Sequence, residues 1–76
     1  MKAITITVTS RSIQYMEEAK IRLMSRVRLE KGQQYSGVPK VCTYEAKGEI
    51  IEAFDLFLAS GDIIRKIPYA SVEIVQ

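Results

Sequence analysis

The stretch Lys40-Val41-Cys42-Thr43-Tyr44-Glu45 decides the fold. By propensity alone, Val41-Cys42-Thr43-Tyr44 reads as a short strand. Joined to the downstream residues, Cys42, Ala46, Ile50, Ala53 and Phe57 lie on one unbroken helical stripe, with Pro39 standing in its first turn. The stripe favours the helix. It strengthens from Ala46 to Ala59, where Ile50, Ile51, Phe54, Phe57 and Leu58 make a broad apolar face, and Ser60-Gly61 ends it. Residues 62–76 turn strand-like again, through Ile63-Ile64 and the Val72/Ile74 alternation, with Pro68 marking a bend or an edge.

Upstream, Gly32 to Pro39 reads as a polar connector punctuated by Gly37 and Pro39. Residues 11–31 read as a helix capped by Ser10 or Ser12, with Ile13, Met16, Leu23 and Val27 at three- and four-residue steps. Arg22 and Arg26 then lie one turn apart, with Arg28 and Lys31 at the helix C-terminus. Residues 3–9, Ala-Ile-Thr-Ile-Thr-Val-Thr, alternate strictly: Ile4, Ile6 and Val8 point one way, the threonines the other. That segment is a strand with one dry face and one hydroxyl face.

The chain has 76 residues, 47% hydrophobic and 26% charged, which is the composition of one small folded domain. A chain of this size buries only about 60% of its unfolded surface, so its core is marginal. One cysteine, Cys42, excludes an intramolecular disulfide, and with no histidine a zinc site is not expected. A partner chain is the remaining source of stability. No apolar run is long enough to cross a membrane, Met1-Lys2 leads straight into the alternation rather than into an export signal, and a lone thiol fits a cytoplasmic setting. The net charge is +2, but residues 1–40 carry +5 and residues 41–76 carry −3. Such polarity suits an anionic partner for the first half.

Catalytic chemistry is not expected. There is no histidine to serve as a base, Cys42 has no activating neighbour in sequence, and Gly32, Gly37, Gly48 and Gly61 have no phosphate-cradling spacing. The reading is therefore a binding protein, not an enzyme, without cofactor or metal.

A lone strand needs a pairing partner. If residues 40–45 are helical, the N-terminal strand has no neighbour in its own chain and pairs with its symmetry mate, giving a two-stranded ribbon over a four-helix body. Such a ribbon fits the DNA major groove. Lys2-Ala-Ile-Thr-Ile-Thr-Val-Thr-Ser-Arg-Ser-Ile13 resembles the opening of ribbon-helix-helix DNA-binding proteins, the Arc- and MetJ-type repressors that include many antitoxins and plasmid regulators. Ala46-Lys-Gly-Glu-Ile-Ile-Glu-Ala-Phe-Asp-Leu-Phe-Leu58 resembles their second helix, with Gly48 where that run usually has Ser. The resemblance covers about a third of the chain.

It implies a mainly α fold with a short N-terminal strand: an intertwined homodimer whose ribbon-helix-helix-like domain spans 1–60, followed by a strand-like C-terminal extension over 61–76. It further implies a plasmid- or phage-type transcriptional repressor. Ala3, Thr5 and Thr7 would read double-stranded DNA, with Thr9 at the edge. Lys2 and Arg11 would meet phosphates, and Lys47-Gly48 would clamp a phosphate at the start of the second helix. The alternative, with residues 40–45 as a strand, is a single-chain β-α-β-α-β sandwich acting as a protein-binding module, for example a phage- or plasmid-encoded inhibitor. A single-strand nucleic-acid binder ranks below both, because Tyr15, Tyr35, Tyr44 and Tyr69 are dispersed in sequence and the N-terminal strand carries no aromatic residue.

Overall fold

The computed structural model describes residues 2–75; Met1 and Gln76, the ends of the two expected segments, lie outside them. Seven strands make one antiparallel sheet: β1 (Ile4–Val8), β2 (Ser12–Glu18), β3 (Leu23–Leu29), β4 (Gln34–Ala46), β5 (Glu49–Leu58), β6 (Ile63–Pro68) and β7 (Val72–Val75). A single 3-10 turn, Tyr69–Ser71, separates the last two. The order across the sheet is β3-β2-β6-β5-β4-β1-β7.

This overturns the ribbon-helix-helix resemblance and the mainly α fold drawn from it. Among the described residues there is no α-helix, so the first and second helices of that family have no counterpart, and the β-α-β-α-β alternative fails for the same reason. The N-terminal strand forms where its alternation places it, with Ile6 and Val8 fully buried. Its partners are strands of its own chain, β4 on one side and β7 on the other. No backbone edge of β1 is left for a symmetry mate, which removes the premise of the intertwined dimer. Residues 61–76 supply β6, which lies between β2 and β5, and β7. The decisive stretch, residues 40–45, is strand, in the middle of the 13-residue β4. No helix of the described residues is long and apolar enough to cross a membrane.

Two connections show how the sheet is shaped. Strands β1 and β2 stand four places apart in the sheet, as do β3 and β4. Four strand spacings in a flat sheet span about 19 Å. The link from Val8 to Ser12 reaches about 14 Å even when extended. The link from Leu29 to Gln34 holds a turn, with the Gln33 N–H donating to the Glu30 carbonyl at 3.1 Å. The sheet must therefore coil on itself. Its concave side closes over one cluster in which Leu29, from an edge strand, joins Ile6, Val8, Phe54, Leu56, Ile64 and Ile67, all fully buried or nearly so. Arg11 and Glu30 join the two connections with a 2.9 Å ion pair.

Strands β4 and β5 make one close backbone approach. A Cβ on Gly37 would lie 2.5 Å from the Phe57 carbonyl oxygen and 2.9 Å from its carbon. Backbone cannot move aside as a flexible side chain can. Gly37→Ala is expected to cost about 2 kcal/mol through forced separation of β4 from β5. A urea midpoint indistinguishable from the parent's would show that the two strands are not that close.

Candidate functional site

Directly opposed residues of paired strands share a face. Register therefore fixes what stands together on the convex side of the sheet. Tyr15, in the middle of β2, is opposite Arg26 on β3 and opposite Arg65 on β6. Ile13 is opposite Arg28, and Glu17 is opposite Met24 and Ile63. A tyrosine ring thus lies between two guanidinium-bearing positions, with apolar residues in the adjoining rows. Tyr15 is 52% exposed, and Ile13 and Met24 are exposed to a similar degree.

Next to this row the sheet carries a defect. The β5–β6 ladder pairs Phe54 with Ile67 and Leu56 with Ile64, so Asp55 alone faces both Arg65 and Lys66. This is a β-bulge, and Lys66 takes the left-handed conformation with φ 53°. Asp55 holds it in place. Its Oδ1 accepts the Lys66 backbone N–H at 2.9 Å, and its Oδ2 accepts Arg65 Nη1 at 2.9 Å. Arg65 Nη2 donates to Glu17 Oε1 at 2.7 Å. Hydrogen bonds that Arg65 donates to Glu17, then to Asp55, push the guanidinium pKa up, so Arg65 is permanently charged but shared between two carboxylates. Cys42 Sγ lies 3.8 Å from Asp55 Oδ1. Burial, with the Asp55 charge second, raises its thiol pKa, which disfavours the nucleophilic thiolate.

The β2–β6 pairing ends at Tyr15 and Arg65, and the strands part beyond the bulge. Gln14 closes the gap. With its amide oriented to its neighbours' demands, its NH2 donates to the Arg65 and Lys66 carbonyls at 3.0 and 2.8 Å. Over this floor lies an open cleft of about 550 Å³, walled by Ile13, Tyr15 and Met24 on one side, Arg65 and Lys66 below, and Tyr44 from β4 on the other. Arg26 and Lys66 make no ion pair among the described residues, and Arg28 makes only a loose one, 3.8 Å from Glu30. No three His, Cys, Asp or Glu side chains among the described residues converge to hold a metal ion.

The residues expected to touch DNA are not brought together in this way. Thr5 Oγ1 hydrogen-bonds Ser36 Oγ at 2.8 Å, and Thr7 Oγ1 accepts from Gln34 at 3.1 Å, so both hydroxyls are spent on cross-strand contacts. Lys2 and Ala3 are exposed ahead of β1. The Thr9 N–H donates to the Ser71 carbonyl at 2.8 Å, and Arg11 is bound to Glu30. Lys47 and Gly48 do not open a helix. They are the two central residues of the β4–β5 hairpin, with φ 51° and 78°, a conformation that fits a two-residue turn and offers no helix dipole.

In the sequence Arg26 stands out only with Arg22, as a helical face offered as a contact surface, and Tyr15 and Tyr44 look dispersed, so the cluster with Arg28 does not read as one site. Its signal was there at period two: Ile13/Tyr15 and Met24/Arg26/Arg28 alternate with the half-buried Gln14, Ser25 and Val27. Arg22 and Arg26, taken together as one helical face, are parted by the structure. Arg22 sits in the β2–β3 turn with φ 52°.

In comparisons with protein-family models, curated proteins and solved structures, nothing matches the chain.

Proposed function

We propose that the chain binds single-stranded nucleic acid across the convex face of β3, β2 and β6. The observation that carries this reading is Tyr15 standing half exposed between Arg26 and Arg65 on neighbouring strands. A base stacks on an aromatic face regardless of its identity, and Arg26, the flanking cation that no carboxylate holds among the described residues, takes a phosphate. Tyr44, on the far wall of the cleft, offers a second ring. Lys66 supplies charge within the cleft, and Arg26 and Arg28 supply it from a smaller hollow beside it that shares Ile13, while Arg65, already neutralised by Glu17 and Asp55, holds the Tyr15 row in register. The polarity of the chain, +5 over residues 1–40, fits the same partner. A duplex keeps its bases stacked inside and cannot offer them to Tyr15, so the reading favours unpaired strands.

The test is fluorescence anisotropy with labelled oligothymidylate, oligouridylate and a duplex of equal length. Binding to the single strands is expected to exceed binding to the duplex and to weaken as salt is raised. Tyr15→Ala is expected to weaken it about tenfold, within the range of about 1–3 kcal/mol per stacked base, with little change in stability. Replacing both Arg26 and Arg28 by Ala should lower the salt slope by about 1.4, at roughly 0.7 per phosphate contact. Affinity that ignores salt, or that Tyr15→Ala leaves unchanged, rules the reading out.

A further inference from the structure

Strand β4 outruns its neighbour. Its pairing with β1 ends at Gly37, yet the strand continues to Ala46 against β5. On the other side, the pairing of β5 with β6 begins only at Ala53. Residues 40–52 are therefore a two-stranded arm standing off the coiled sheet.

Strand β1 fixes which backbone groups the arm leaves open. Val8 turns both its N–H and its C=O toward the start of β4, bonding Gln33 and Gly32 at 2.8 Å each. Backbone groups alternate sides along a strand, so Ile6 and Ile4 turn the same way, and Tyr35 and Gly37 opposite them turn toward β1. The β4–β5 register runs unbroken from Gly37 to Ala46, so the same side carries Pro39, Val41, Thr43 and Glu45. Pro39, the one residue here with no N–H, stands just where β1 stops. Beyond it, Val41, Thr43 and Glu45 present N–H and C=O groups to an edge that no strand of the described residues covers.

The other two edges are defended. The outer edge strand β3 carries Arg26 and Arg28, and β7 has only four residues. The arm has no charge between Lys40 and Glu45. It also bears the most exposed apolar side chains of the described residues, Val41 at 69% and Ile50 at 75%.

We infer that the arm pairs edge to edge with the arm of a second copy of this chain, antiparallel and centred on Thr43. A two-fold axis through Thr43 sets Val41 opposite the partner's Glu45, so every open N–H and C=O from Val41 to Glu45 finds a mate across the axis. A shift of the axis to Cys42 would set the partner's Glu45 against Pro39, which has no N–H to give. Centred on Thr43, Glu45 and the partner's Glu45 stay about 14 Å apart. Lys40 meets the partner's Ala46, beyond which the partner's Glu49 lies on the same face, a complementary pair of charges. A contact of this length falls below about 1,200 Å² in total, at the small end of protein interfaces, so the dimer forms reversibly and depends on concentration. It stands whether or not the convex face binds nucleic acid.

Sedimentation over a range of concentrations tests it. The wild-type chain is expected to pass from 8.6 kDa at low micromolar concentration to twice that mass in the hundred-micromolar range. Thr43→Pro deletes an N–H that faces only the open edge, so it should remain monomeric with the wild-type circular dichroism spectrum. Should that variant unfold, disulfide trapping decides. In a Cys42→Ser background, Thr43→Cys should cross-link on mild oxidation, since opposed residues of a hydrogen-bonded pair lie about 5.5 Å apart. Glu45→Cys should not. A wild-type monomer at every concentration, or equal cross-linking of both cysteines, overturns the inference.

Discussion

Phe54→Ala is expected to bring the chain to the edge of unfolding at room temperature. Phe54 is fully buried, and its ring packs against Tyr69 with centroids 4.8 Å apart. Truncating such a residue costs about 3–5 kcal/mol, the lost transfer energy plus the cavity it leaves. A chain of this length has about 4–11 kcal/mol of stability in all. The loss is therefore at least about a quarter of the total and can reach all of it, and the urea midpoint should fall by roughly half. The other core residues are aliphatic side chains held on separate strands, so they fill the space left by the ring only in part. Phe57, three residues on, is the control. It stands on the convex face and is 37% exposed, so Phe57→Ala should cost about 1 kcal/mol or less. Equal effects at the two positions would mean that the concave face is not the core.

The contrast between Phe54 and Phe57 also explains what the sequence conveys and what it conceals. Strand β1 is legible because its two faces differ cleanly: isoleucine and valine inward, threonine outward. Strand β5 is not, because it lies mid-sheet and carries apolar residues on both faces. Phe54 and Leu56 point to the core and Ile51 and Phe57 to the other side, so alternation blurs into a run that mimics a helical stripe. Strand β2 is hidden for a different reason. Its outward residues Ile13 and Tyr15 are apolar, while its inward side holds Ser12 and Gln14 beside Met16. Read as a helix, that inverted pattern gives a convincing stripe. The residues that disguise the strand are the ones that line the cleft, so the misreading and the candidate site have one origin. The long-range order β3-β2-β6-β5-β4-β1-β7 has no local signature, since the β2–β6 and β1–β7 pairings join segments far apart in sequence.

The bulge at Asp55 links stability to the site, and its removal is expected to move the two in opposite directions. Asp55 is the inner member of the network, with a side chain 13% exposed, while Arg65 is 33% exposed. Deleting one partner of a fully buried pair costs about 3–5 kcal/mol. Solvent reaches Arg65, which screens part of that, but the Lys66 N–H also loses its acceptor, so Asp55→Ala should cost about 3 kcal/mol. Asp55→Asn keeps an oxygen for Lys66 and should recover more than half of the loss. Lys66→Gly should be neutral or slightly stabilising, because glycine adopts φ 53° without strain. On binding, Asp55→Ala removes a negative charge from beneath the cleft, so affinity for a single strand at low salt should rise as stability falls. Tyr15→Ala does the reverse, weakening binding while leaving the urea midpoint nearly unchanged. Paired titrations and unfolding curves on the two variants give this crossed pattern if Asp55 serves the fold and Tyr15 the ligand. If Asp55→Ala instead weakens binding in proportion to its instability, the acid is part of the binding surface, and the stacking row alone does not account for recognition.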